Sequence, residues 1–522
     1  MVSFAQINSI YLIIVVVVGL VSCSNPQLVN QSSSSDINIT RRIEIYTAGY
    51  RNISEKYIRK LNVSDIAFGG IQGLASIDPA LKIERDDPFV RLLINGKEIA
   101  FKKAPEPMDS RGWGFVTTHF ERTATQYSRL IEIADEEKIY EAVFDGVVAN
   151  LDVFSRYAGP AEAEVNRARR EGFSGIGIEF NIKSGKPVIT NVQSNMPAAL
   201  GGLRVNDQIT HIDGSELFNL TKREIAKRLQ GSSRSKVVIR IYRAIESRHL
   251  EITMARMHIV PKTVTTEITD DFAYIKISGF NQGTADSMEK VLQKIRRSSS
   301  SRLNGLIIDL RGNPGGLLKQ SIRVADLLLS QGHIVSTRGR HPDSLHQYEA
   351  SGQDFADGWR IVVLVDGKSA SASEIVAAAL QDRGRAVVVG TASYGKGTVQ
   401  TVIRLPNNGE LNLTWSRFIA PSGYALHGLG VRPTICTSQL KNSPQQALAK
   451  FLSTKLKTRS TLTSWRQVSL HAKKARKVLR ETCAAEQRIT SVEKEIGKIL
   501  LANPQLFLQA LELADTKIEA LK

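Results

Sequence analysis

The chain has 522 residues, 42% of them hydrophobic and 23% charged, ordinary values for a protein with a real core, which excludes a mainly disordered chain. At roughly 150 residues per domain, the length predicts three or four folding units, and three cysteines exclude a disulfide-dense scaffold or a multi-zinc protein. The net charge of +18, from 69 Lys+Arg against 51 Asp+Glu, invites nucleic acid or an anionic surface as partner, but aromatic residues are only 6% and do not punctuate the basic runs, so nucleic acid is not expected.

Ile10–Val21 is a nearly unbroken apolar run. It is too short for the roughly 20 residues of a spanning helix and fits the apolar region of a secretory signal. Residues 1–22 are therefore read as a signal peptide. Leu20-Val21-Ser22-Cys23 resembles a lipobox, in which Cys23 becomes the lipidated first residue of the mature chain. No Lys or Arg precedes Ile10, so an ordinary cleaved signal and an uncleaved anchor stay open as alternatives. The expected location is the periplasm or cell envelope. Residues 23–40, with the Ser32–Ser35 run, predict a flexible tether. Cys436 and Cys483 remain as a pair, and in an oxidising compartment a disulfide would staple the C-terminal segment to the body. Two buried free thiols are the alternative.

Residues 41–170 carry helix-like apolar spacing, as at Tyr127–Ile133 and Ile139–Val153, and predict helical packing. Residues 171–256 change to short β-branched runs split by Gly, Asn and Asp, with one helix at Thr221–Leu229 behind a Thr221/Glu224 capping box. Over 257–435 strand and helix patterns alternate, which argues an α/β layer. Residues 436–522 read as polar and helical, with Ser443-Pro444 as a cap and first-turn proline.

Three elements in the α/β region could carry chemistry. Ser371, in Ser369-Ala370-Ser371-Ala372-Ser373-Glu374, follows an apolar strand and precedes an Ala-rich helix. It is either an inert capping box with Glu374 or a nucleophile placed among unpaired helix N–H groups that stabilise developing negative charge. A nucleophilic serine needs a base, and no His/Asp arrangement with triad spacing occurs. Lys396, in Gly395-Lys396-Gly397-Thr398-Val399-Gln400, can serve if burial keeps it neutral. A strand starting there puts Gln400 on the same face, where its amide could hold the amine. Gly390–Lys396 also matches the start of a phosphate-binding loop, but Gly397 stands where Ser or Thr is required and a β-branched run follows. The third element, Asp309–Gly316, ends a buried strand with glycines whose N–H groups could hold a carbonyl oxygen, or simply makes a turn. No HExxH or CxxC pattern supports a metal, and no cofactor is expected.

In combination these stretches resemble, in order, the core motifs of the C-terminal processing peptidases, also called tail-specific proteases, a serine-peptidase family with a Ser/Lys dyad. The resemblance covers roughly Arg41–Ile435. It implies Ser371 as nucleophile, Lys396 as general base, Gln400 as the residue orienting the lysine, and an oxyanion hole from the Ala372 N–H and a glycine of the Gly315/Gly316 pair. It also implies a PDZ domain at 171–256, whose carboxylate-binding loop is Phe173, Gly175, Ile176, Gly177 and Ile178. The implied fold is an α/β core of ClpP/crotonase type over 257–435, a mostly-β PDZ domain, a helical N-terminal region and a helical C-terminal extension. The implied partners are protein or peptide substrates with free C-terminal tails. An adaptor protein and, through a lipid anchor, the membrane are further partner classes, and a non-catalytic PDZ scaffold is the competing function. Residues 436–522 hold 16 Lys+Arg against 7 Asp+Glu and match nothing in the family. They are expected to be a tail for an anionic surface or acidic partner, removable without loss of cleavage.

Overall fold

The structure, a computed structural model, describes residues 34–514 apart from 270, 300–302, 441–442 and 489. The expected signal peptide and Cys23 lie outside the described residues. The central sheet is ordered Val264–Ile268, Phe272–Ile277, Gly305–Asp309, Arg360–Val365, Ala386–Gly390, Ile435–Cys436. Its first pair is antiparallel and the remaining pairs are parallel. Successive residues of these strands enter different cores, because strand side chains alternate between faces. Leu306, Ile308, Ile361, Val363 and Val388 pack with the helices Thr284–Ser299, Leu318–Asp326 and Ala372–Asp382. Ile307, Val362, Leu364, Val387 and Val389 pack instead against Phe451, Ile496, Leu500 and Phe507.

Those four partners lie on the helices Pro444–Ser453, Val492–Ala502 and Pro504–Ala514. The expectation of a detachable basic tail is thereby corrected. A strand apolar on both faces needs two covers, and the C-terminal helices supply the second. Polar contacts fix them further. Glu493, wholly buried, sits 3.1 Å from Arg311 and 3.0 Å from Arg488, and Cys436 and Cys483 are joined by a disulfide.

A second sheet runs His346–Glu349, His333–Gly339, Glu410–Ile419, Thr398–Arg404, with Arg156–Ala158 paired on Glu410–Ile419. The N-terminal region packs on it through Leu405, Leu411 and Leu413. That region contains the helices Ser34–Lys56, Val63–Gln72, Ser110–Tyr127 and Glu136–Val148. It also contains an antiparallel sheet, Leu81–Asp86, Phe89–Ile94 and Lys97–Lys103, where only helices were expected. The missed signal is Asn95-Gly96, both at positive φ (50° and 78°), a pair that favours a tight hairpin. The first helix begins at Ser34, inside the segment expected to be a tether.

The helix Pro160–Glu171 leads from this region into the third unit. It is fixed to the second sheet by Arg167 and Arg170, 3.0 and 2.8 Å from the buried Glu410. The third unit is a mostly antiparallel sheet ordered Arg248–Ala255, Lys236–Arg243, Gln208–Ile212, Lys186–Val192, Ile178–Lys183. Its helix Lys222–Leu229 starts with the capping box expected at Thr221 and Glu224. Ile178–Lys183 is an edge strand, and Lys222 of this helix donates through Nζ to its Asn181 Oδ1 at 2.8 Å.

Candidate active site

Ser371 caps the helix Ala372–Asp382 in a backbone conformation of φ 55°, ψ −113°. For a residue with a Cβ this is strained by about 1–3 kcal/mol and persists only where the surroundings dictate it. The surroundings do. Glu374, one turn into the helix and 1% exposed, accepts the Ser371 N–H at 2.7 Å. The same carboxylate accepts the Gly395 N–H at 2.7 Å, the Lys396 N–H at 2.9 Å and the Ser393 hydroxyl. One buried carboxylate thus ties the backbone of Ser371 to that of Lys396. Burial pushes the Glu374 carboxyl above its ordinary range, and these hydrogen bonds oppose the shift.

The glycine loop closes on the serine from the other side. Ala370 N–H and Ser373 Oγ both donate to Asn313 O at 3.0 Å, and Gly312 N–H donates to Asp366 at 2.9 Å. Gly315, at φ 101°, approaches so closely that a Cβ there would lie 2.9 Å from Ser371 Cβ. Its N–H is taken by Asn313 Oδ1 at 2.8 Å. The amides of Gly316 and Ala372 have no acceptor among the described residues. The structure therefore distinguishes the two glycines: Gly315 supplies room, and Gly316 has a free donor.

Lys396 is half-buried, with Nζ 5.2 Å from the centre of the Phe154 ring, and it makes no hydrogen bond through Nζ among the described residues. Burial lowers its pKa from the usual lysine value. Arg156 lowers it further, while Asp152 and Glu374 act in the opposite sense. His427 also packs edge-on against Phe154 at 6.0 Å, and its ring is likewise held toward the neutral form by burial. Gly397 fits because a Cβ would collide with the His427 backbone.

Gln400 does not touch the lysine. Its Nε2 donates to Thr398 Oγ1 at 2.9 Å and Thr414 Oγ1 at 3.2 Å. The alternation argument fails because the strand begins at Thr398, after Lys396, and the pairing with Glu410–Ile419 shifts register between Val399 and Gln400. The structure instead brings in groups from elsewhere in the chain. Thr414 donates to Asp152 at 3.0 Å, and Asp152 caps the turn carrying Phe154 and Ser155. From the C-terminal segment, Arg480 donates to Ser393 O at 3.1 Å and to Leu429 O at 2.5 Å, bracketing the Lys396 loop.

In the third unit, Phe173–Gly175 pairs with Met257–Ile259, and the side chain of Ile176 is buried in the core. The amides of Ile176 and Gly177 have no acceptor among the described residues, and Ile178 begins the open edge strand. No helix among the described residues is long and apolar enough to cross a membrane.

Residues 271–437 match Peptidase family S41, and residues 188–243 match a PDZ domain family. The chain is 37% identical over 322 residues to a carboxy-terminal-processing protease of Bartonella bacilliformis, covering 61% of this chain and 74% of that one. It is 27% identical over 394 residues to the carboxy-terminal processing protease CtpB of Bacillus subtilis, covering 74% and 78%. A probable CtpA-like serine protease of Staphylococcus aureus is 28% identical over 58% of this chain and 60% of its own length. The chain therefore belongs to the carboxy-terminal-processing proteases, S41 serine peptidases that carry a PDZ domain.

Proposed function

We propose that the protein is an exported endopeptidase that captures the C-terminal tails of proteins in its PDZ domain and cleaves them through an acyl-enzyme on Ser371. The observation that carries this reading is the Glu374 carboxylate, which holds Ser371 and Lys396 by their backbone N–H groups within one buried cluster. Lys396, shifted toward the neutral amine, takes the Ser371 Oγ proton as Oγ attacks the peptide carbonyl. The amides of Ala372 and Gly316 receive the developing oxyanion. Lys396 passes its proton to the departing amine, and a water, deprotonated by the same Nζ, releases the acid and restores the serine. Nζ and Oγ are not hydrogen-bonded in this structure. Such contacts are commonly long before substrate arrives. Gln400 acts one step away, through Thr414 and Asp152, rather than on the amine.

The tail would add as a strand to Ile178–Lys183, its carboxylate meeting the free amides at Ile176 and Gly177. Residues 1–23 would direct export and, through Cys23, anchoring. The test is cleavage of a protein ending in an apolar tail by wild type, Ser371→Ala and Lys396→Ala. Loss of cleavage in both variants, with tail binding retained, supports the reading. Equal cleavage by all three overturns it, and tail binding without turnover by wild type assigns the protein as a scaffold.

A further inference from the structure

The strand Ile435–Cys436 ends beside a recess roofed by the helices Pro444–Ser453 and Lys455–Gln467. Arg432 lies at its floor, 7% exposed. No carboxylate pairs with it among the described residues. Its Nε reaches Thr482 Oγ1 at 3.5 Å and its Nη1 reaches Pro433 O at 3.1 Å, while Nη2 has no acceptor there. A buried guanidinium without a counter-charge is costly, and burial pushes its pKa down to about 10. The guanidinium borders a cavity of about 220 Å³, whose walls also include Lys450, Thr454, Lys457 and Thr458. Neither lysine forms an ion pair among the described residues. Lys455–Gln467 opens onto the same space. Its N-cap Thr454 makes no side-chain cap, because that hydroxyl donates to Lys450 O, so the first-turn amides stay available to an anion.

Three cationic residues and the first turn of a helix line one recess, and no acidic residue lines it. We propose that this cavity binds a phosphate-type oxyanion, either inorganic phosphate or the head of a phosphomonoester. A doubly charged tetrahedral ion matches the donor set, since Arg432 offers a planar fork and the lysines offer point charges from the rim. The site lies away from the nucleophile but is tied to the helix that Ser371 begins. Gln381, at the opposite end of Ala372–Asp382 from Ser371, donates to Arg432 O at 3.0 Å and to Thr434 Oγ1 at 3.1 Å. An ion that neutralises Arg432 therefore clamps the C-terminal helices onto the core without touching substrate.

The experiment uses the full chain, with inorganic phosphate as probe and sodium chloride at matched ionic strength as control. Binding is read by calorimetry and by Tm. Phosphate should raise Tm in proportion to the logarithm of its concentration once bound, with chloride producing no comparable shift. Arg432→Met should weaken phosphate binding by about tenfold or more, the loss expected for a charge-assisted donor pair. If that variant does not fold, Lys450→Ala/Lys457→Ala on the rim carries the same test and should also weaken binding. Glycerol 1-phosphate distinguishes the sources: binding as tight as phosphate assigns the cavity to an esterified head, and weaker binding assigns it to the free ion. Absence of phosphate-specific heat and Tm shift, or identical binding in the variants, overturns the proposal.

Discussion

Replacing Glu374 by Gln changes one buried atom and tests the geometry of the whole site. The carboxylate receives the N–H groups of Ser371 and Lys396 on Oε2 and those of Gly395 and the Ser393 hydroxyl on Oε1. A glutamine has one acceptor oxygen. It can keep Ser371 and Lys396 only by turning its NH2 toward Gly395 and Ser393, and the two bonds it keeps lose their ionic character. Hydrogen bonds to a charged group are worth about 1.5–3 kcal/mol and neutral ones about 0.5–1.5, so the two positioning bonds weaken by about 2 kcal/mol in total. If that loss falls on the chemical step, kcat drops by about 30-fold. KM for the tail should hold, because Glu374 touches neither substrate nor PDZ domain. The pH profile gives a second readout. The Glu374 charge favours protonated Lys396, so its removal lowers the lysine pKa and moves the acidic limb of kcat/KM to lower pH. Steady-state cleavage across pH, with urea unfolding to verify the fold, makes the comparison. A variant with wild-type kcat, or with the acidic limb moved upward, refutes the positioning role.

Four further outcomes follow from the same contacts. Arg156, whose side chain is 59% exposed, lowers the Lys396 pKa across solvent; Arg156→Gln should move the acidic limb upward by under about one unit, and salt should erase the difference. Truncation after Thr437 should yield insoluble or unfolded protein by sedimentation and circular dichroism. It uncovers Ile307, Val362, Leu364, Val387 and Val389, a loss on the order of 10 kcal/mol at about 1.5–3 kcal/mol each, comparable with a domain's total stability. Cys436→Ser/Cys483→Ser opens a crosslink spanning 47 residues and should cost about 4 kcal/mol in urea unfolding on the loop-entropy estimate. Gly315→Ala should abolish cleavage while leaving tail binding intact, because the added methyl strikes Ala370 O and Ser371 Cβ.

What the sequence disclosed was what short-range pattern can carry. Ser371 and Lys396 were legible because each sits in a compact motif beside a recognisable strand or helix end. Glu374 was legible only as a cap, since nothing local says that its carboxylate also faces a loop 19 to 22 residues further along the chain. Phe154 and Asp152 were invisible as neighbours of Lys396, because tertiary packing of the N-terminal region delivers them. Gln400 was misplaced for a local reason with a long-range cause: a register shift against Glu410–Ile419 undid the alternation. The unbroken apolar strands announced that both faces of the sheet are buried, but not that the basic segment after Ile435 buries one of them. Its high charge masked the apolar pair Ile496 and Leu500, four residues apart on one helix face. The hairpin at Asn95-Gly96 carried its own turn signal and was lost under helix-like spacing on either side.

The covering of the central sheet from its C-terminal side also sets an order in time. A ribosome delivers Ser371, Lys396 and the glycine loop well before Arg480, Glu493 and the helices that close the second core. Until those residues are in place, the sheet has one bare face and the Lys396 loop lacks the arginine that brackets it. Assembly of the loop that carries Lys396 is thus coupled to closure of a core built from elements that follow it in the chain.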